Sequence, residues 1–220
     1  SSPAAFSVSD HRKKLPVAAV VTTYHENSHA DVVVGKILEG WRQTGGAGPD
    51  LELVSLYTDQ IHPKDLSREL AKKHGVPIAK TIDEAVTLGQ STLPVAAVLS
   101  IGEHGDYPYN DLKQHMYPRR RFFDEIVAAM QRCGEFVPLF NDKHLAWNWR
   151  DAKHMYDVAR RHQIPFMAGS SLPVAWRYPA QELPIGAEIE EALLVGYGGL
   201  ESYGFHSIEA LQCIVERRRG

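Results

Sequence analysis

The feature that most constrains this chain is an alternation of short apolar runs with segments of helical spacing. Residues 17–21 (VAAVV) are apolar without interruption, as a strand buried on both faces must be. Residues 51–57, 76–79, 95–100, 136–140 and 164–168 give five more short runs of strand type. Between them, residues 31–41, 65–74, 118–132 and 149–162 carry helical periodicity, and Gly75 stops the second of these. Thr81-Ile82-Asp83-Glu84 opens a further helix with capping-box spacing. Strand followed by helix, repeated, predicts a doubly wound, Rossmann-like α/β fold with a mostly parallel sheet and right-handed crossovers.

The pattern also divides the chain. Residues 1–14 read as a flexible polar tail and 15–172 as the Rossmann-like domain. Residues 173–184, with three prolines, read as a linker. A strand over 188–197 and a helix over 207–218 follow, too little to bury a second core. Residues 173–220 are therefore expected to be a linker and the start of a truncated C-terminal domain, a partial second α/β element. A net charge of −3 offers no field for nucleic acid or for an anionic membrane. The arginine runs at 119–121 and 217–219 are short and read as solvated faces. Cys133 and Cys213 have no ligand-like spacing and read as reduced, partly buried thiols. No apolar stretch could span a bilayer and no signal-peptide pattern occurs, so a cytoplasmic location is the default. The start without methionine leaves a processed, exported form open.

Chemistry collects after the strands. The first strand is followed by Thr22, Thr23, Tyr24, His25, Glu26, Asn27, Ser28 and His29. The run at 95–100 leads to Gly102, Glu103, His104, Gly105 and Asp106. The last two runs lead to Asn141-Asp142-Lys143-His144 and Gly169-Ser170-Ser171. In an open α/β sheet these loops share the carboxyl edge, where ligands bind at the switch in strand order. His25-Glu26-Asn27-Ser28-His29 spells H-E-x-x-H, but a strand end and a helix start are not the mid-helix context of a zinc protease. A looser divalent-metal site (zinc, manganese or iron) from His25, His29, His104 and His144 with Glu103 is one expectation. The competing reading has these histidines capping helices and bridging loops, with Gly105 and Asp106 forming a tight turn. Lys143, at a strand end, reads either as a desolvated acid or base or as a solvated lysine. His206 and Glu209 share a helical face with Tyr203, and His206 is a general-acid candidate.

The order of these motifs resembles the Gfo/Idh/MocA family of sugar and polyol oxidoreductases. The resemblance is carried by residues 51–57 with Ala71-Lys72-Lys73-His74-Gly75-Val76-Pro77, by Thr81–Ala85, by Asn141–His144 with 164–169, and by Gly198–His206. It implies an NAD(P)-binding domain, with Thr22 and Thr23 at the cofactor loop and Asp59 near a ribose. It also places Lys143 on the family's catalytic lysine and His206 on its catalytic histidine. The positions of the family's three fingerprint glycines hold Val21, Thr23 and Glu26. Side chains would then stand where the backbone should approach the pyrophosphate, and Glu26 would add repulsion.

Three functions follow. The first is a divergent member of this family acting on a sugar-like or polyol small molecule, with Lys143, His206, Glu103 and His104 in the catalytic site. The second is a metal-dependent lyase, isomerase or hydrolase using His25, Glu103, His104 and His144 without nucleotide. The third is a non-catalytic Rossmann-like module for ligand binding or for assembly of a homo-oligomer. No nucleic-acid or membrane partner is expected.

Overall fold

The computed structural model describes residues 13–42, 45–180 and 182–219. Five strands form one all-parallel sheet: β1 (Leu15–Val21), β2 (Leu51–Thr58), β3 (Ala97–Ile101), β4 (Leu139–Asp142) and β5 (Phe166–Gly169). Their order is β2-β1-β3-β4-β5, so the chain winds outward from β1 to one side and then returns to the other. The switch point lies between β1 and β3, where Val17–Val21 pair with Ala97–Ile101 in continuous register. This is the doubly wound, Rossmann-like architecture expected from the alternation of elements. Val17 to Val21 have no solvent exposure, which is why β1 is apolar at every position.

Among the described residues six α-helices flank or follow the sheet: α1 (His29–Glu39), α2 (Ser67–His74), α3 (Ile82–Thr87), α4 (Arg119–Cys133), α5 (Trp149–Arg161) and α6 (Phe205–Val215). One face of the sheet packs Ala18, Val20, Val98 and Leu139 against Ile82, Phe122, Phe123, Ile126, Met130 and Met155 from α3, α4 and α5. The other packs Val17, Ala19, Val21 and Ile101 against Ala30, Val34 and Ile37 of α1 and Leu70 of α2. Ser28 caps α1 and Thr81 caps α3, the latter as its capping-box spacing requires.

Two expected strands are absent. Residues 76–79 make only a single bridge, Leu56 to Ile78, with Leu56 N donating to Pro77 O and Ala79 N to Leu56 O. Pro77 has no N–H to extend that pairing. Residues 188–197 are irregular because no strand edge lies beside them, and Leu193, Val195 and Tyr197 project to solvent. Among the described residues beyond Gly169 no side chain is buried. The tail expected over 1–14 lies outside the described residues except for Lys13 and Lys14, which are exposed. Among the described residues, no helix is long and apolar enough to cross a membrane. Cys133 and Cys213 are free thiols of intermediate burial.

Candidate functional site at the carboxyl edge

The loops after β1, β3, β4 and β5 emerge side by side, because those four strands are neighbours in the sheet. Thr22 ties the first two together: its backbone N–H donates to Ile101 O at 3.1 Å and its hydroxyl donates to Glu103 O. Gly169 N donates to Lys143 O at 3.0 Å and ties the last two. These links place Glu103, Lys143 and Ser170 in one row.

Glu103 is the hub. Its Oε1 accepts from Lys143 Nζ at 3.1 Å, and its Oε2 accepts from the Arg119 guanidinium. Arg119 is only 1% exposed, so the solvated-face reading of this arginine run fails at its first member. Its partners explain the burial: besides Glu103, its Nη1 donates to His144 Nε2 at 3.1 Å, and its Cζ lies 5.0 Å over the Tyr117 ring. Arg120 and Arg121 pair with Asp151 and Asp59. Arg119 crosses the end of β3 because residue 102 is glycine; a Cβ there would lie 2.7 Å from Arg119 Cγ. Burial alone would raise the Glu103 pKa, but Arg119 and Lys143 outweigh it and hold the carboxyl below its usual range.

Lys143 is buried, with Glu103 as its counter-charge, so it is not the solvated lysine of the competing reading. Its backbone lies in the left-handed region (φ 64°), as does that of His104 (φ 69°). Such positions are costly for non-glycine residues and persist where surrounding structure holds them. His206, the second residue of α6, reaches back to β5, with its Nδ1 2.6 Å from Ser170 Oγ. Glu209, one turn on, accepts Ser170 N–H at 3.2 Å and anchors the same loop. Burial, reinforced by Lys143 and His29, lowers the His206 pKa. His104 is lowered by burial and then by His29. His144 is pushed down to about 4 by burial and by the Arg119 charge.

The four histidines expected to share a metal do not converge. His25 and His29 each meet His104 edge-on, with ring centroids 5.5 and 5.2 Å apart. His29 Nδ1 is held by Asp142 Oδ2 at 2.6 Å, and His144 Nε2 faces a guanidinium, which no cation could share. Among the described residues, no group of three or more His, Cys, Asp or Glu side chains is placed to hold a metal ion. The H-E-x-x-H segment does straddle a loop and a helix start, since α1 begins at His29.

The positions that the family resemblance gives to a dinucleotide fit it poorly. Three amides around the start of α1 are already used: His25 N and Asp31 N donate to Ser28 Oγ at 3.2 Å each, and Asn27 N donates to Asp31 Oδ2 at 3.0 Å. Asp31 also puts a negative charge in the first turn, where a phosphate would need the opposite. Asp59 has both oxygens engaged, by Tyr57, Tyr107 and Arg121. In place of a phosphate cradle there is a cleft of about 400 Å³ lined by Thr23, His25, Gln60, His62, His104 and Asp106. His25 and His62 pack ring against ring at a 33° tilt, with centroids 4.2 Å apart. Thr23 is buried with its hydroxyl unpartnered.

Sequence reasoning missed Arg119, Asp142, Ser170 and His62 as site members. Gly102 was the available signal for Arg119, since a glycine at a strand end marks close approach. Ser170 and Asp142 were read only as parts of loops, and nothing in the sequence pairs them with residues so distant along the chain.

No family model matches the chain, and no curated protein matches it. Among solved structures, it is similar to the apo scyllo-inositol dehydrogenase of Lactobacillus casei, with a TM-score of 0.48 at 14% identity over 76% of this chain. It is also similar to GenD2 from gentamicin A biosynthesis, solved with NAD (TM-score 0.46, 16% identity, 72% of this chain and 35% of that one). A third is the biliverdin reductase of Synechocystis sp. PCC 6803, solved with biliverdin and NADP+ (TM-score 0.44, 14% identity, 73% of this chain and 39% of that one). The chain spans 38% of the length of the inositol dehydrogenase, so the likeness is to part of each protein.

Proposed function

We propose that this chain is a divergent enzyme of the oxidoreductase-like lineage its sequence resembles. It acts by proton transfer on a sugar-like or polyol-derived small molecule, with Lys143 and His206 as the groups that move protons. The observation that carries this reading is that Lys143 follows β4 while His206, from α6, bonds the loop after the adjacent β5, near enough for the Lys143 charge to add to burial in lowering its pKa. Lys143 is buried against Glu103, and His206 is held by Ser170 on the loop bonded to Lys143. A buried cation beside a half-buried, neutral imidazole suits chemistry next to a carbonyl: one group stabilises charge developing on oxygen while the other accepts or returns a proton. Glu103 and Arg119 position Lys143, and His104 borders it from β3. The engaged amides at α1 and the engaged Asp59 leave dinucleotide chemistry without a cradle, so no hydride step is assigned.

The test is turnover of a panel of aldoses, ketoses, aldonates and polyols by the full chain, followed through their carbonyl and proton-exchange signals. Lys143→Met and His206→Gln are each expected to lower kcat by at least ~100-fold, the low end of general acid–base contributions. Both variants retaining full turnover would reject the assignment.

A further inference from the structure

Hydrogen-bond accounting around Lys143 fixes which nitrogens carry protons. A guanidinium has only N–H groups to offer, so Arg119 Nη1 makes His144 Nε2 an acceptor. With its pKa near 4 the His144 ring is neutral at neutral pH, and its single proton must sit on Nδ1. That nitrogen is buried and has no protein partner. On the β5 side, Ser170 Oγ accepts the Leu172 N–H at 3.1 Å and lies 2.6 Å from His206 Nδ1, a pair in which either group can donate. Lys143 gives one N–H to Glu103 and has two more to give.

Lys143 and His144 therefore each have an N–H left to give, with Glu103 already drawn to two cations. They line a cavity of about 30 Å³, walled also by Glu103, Tyr117, Trp147, Phe205 and the exposed Glu201. That volume takes one or two water-sized groups and no ring. We infer that the substrate enters this site through a carbonyl or carboxylate oxygen, held in the cavity by Lys143 Nζ–H and His144 Nδ1–H. A hydroxyl can accept one of these bonds but arrives with a proton that Glu103 is poorly placed to take. The inference rests on the proton-transfer reading above. It narrows the substrate from sugar-like molecules in general to those bearing an oxo or carboxylate group. His144, absent from that reading except as a neighbour of Arg119, becomes a recognition residue.

The test uses the full chain and has two arms. Nitrogen-15 NMR of histidine-labelled protein at neutral pH reports each tautomer directly, with His144→Gln and His206→Gln serving for assignment. His144 is expected with its proton on Nδ1. Calorimetry then compares D-gluconate and 2-keto-D-gluconate with sorbitol, which has neither an oxo nor a carboxylate oxygen. The acids are expected to bind at least ~10-fold more tightly, the discrimination of a site whose buried donors would otherwise go unpaired. A proton on His144 Nε2, or sorbitol binding as well as the acids, would overturn the inference while leaving proton transfer by Lys143 and His206 standing. The expected His144 tautomer with no binding of any probe would reject the site reading and the substrate class together.

Discussion

Replacing Glu103 by Gln removes the one carboxylate that faces both Arg119 and Lys143, keeping the shape of the side chain. Arg119 is 1% exposed and Lys143 9%, so neither cation can turn to water for compensation. Removing one partner of a buried ion pair costs about 3–5 kcal/mol. The amide oxygen still accepts one hydrogen bond, and Asp142 lies near enough to Arg119 to favour its charge, so the low end, about 3 kcal/mol, is expected. For a chain of this size each kcal/mol moves Tm by roughly 2–4 °C, giving a fall of about 6–12 °C at pH 7. The pH dependence follows from the direction of the Glu103 shift. Its carboxyl is held below the ordinary 4.5, so its stabilisation is present above that pH and disappears as pH falls through the folded-state value. Thermal unfolding of wild type and Glu103→Gln should therefore diverge at pH 7 and converge in acid. A difference below ~1 kcal/mol at pH 7, about 2 °C, would refute the view that this carboxylate holds the site's cations together.

Gly102→Ala sets a Cβ 2.7 Å from Arg119 Cγ. Since the guanidinium is fixed on Glu103 and His144, the variant should lose stability and release His144, read as a rise of its pKa by NMR titration. The wild-type His144 ring should titrate near pH 4. As pH drops from 6.5 toward that value the unfolded chain takes up a proton that the folded one refuses, so this group withdraws stability across that window. Urea unfolding at pH 7 and pH 5 of wild type and His144→Gln would reveal it; parallel changes in both would speak against it. Phe122→Ala, at a fully buried position between α4 and the sheet, should cost about 3–5 kcal/mol in urea unfolding. NADH titrated into the protein should show no saturable fluorescence change at micromolar concentration; saturation would contradict the account of the α1 loop.

What could be read from the sequence was decided by how local the determining physics is. β1 was legible because five consecutive apolar residues with no exposure leave a buried parallel strand as the economical reading. The helix start at Thr81 was legible because a cap is a contact across three residues. The strand expected at 76–79 shrank to one bridge because Pro77 removes a donor that an apolar pattern does not register. The strand expected at 188–197 failed because Leu193, Val195 and Tyr197 have the right composition and no neighbour to pair with. At the site, the shared edge of the strand-end loops was legible, as were Lys143 and His206 as candidates. Their controlling partners were not. Arg119 was hidden in an arginine run whose other members are solvent-facing or surface-paired, and its burial depends on a glycine from a different element. The four-histidine metal expectation failed because residue type alone does not show that a guanidinium occupies the ligating nitrogen of His144.

The same partners set this sheet edge apart from one built to hold an anionic cofactor. In a doubly wound sheet the switch point beside β1 offers free amides at a helix start, and this is what an anionic cofactor exploits. Here Ser28 and Asp31 have turned those amides inward, and Asp31 is itself tied to Arg42 at 3.3 Å. What an anion would have neutralised is neutralised within the chain, and the space above fills with the rings of His25, His62 and His104. The concentrated charge lies beside it, in Glu103 after β3, Lys143 after β4 and Arg119 at the start of α4. Charge that is buried and internally balanced orients groups more than it attracts ligands from a distance. If the edge takes a small molecule as proposed, the buried His144 Nδ1–H and the Lys143 ammonium are the groups that would orient it.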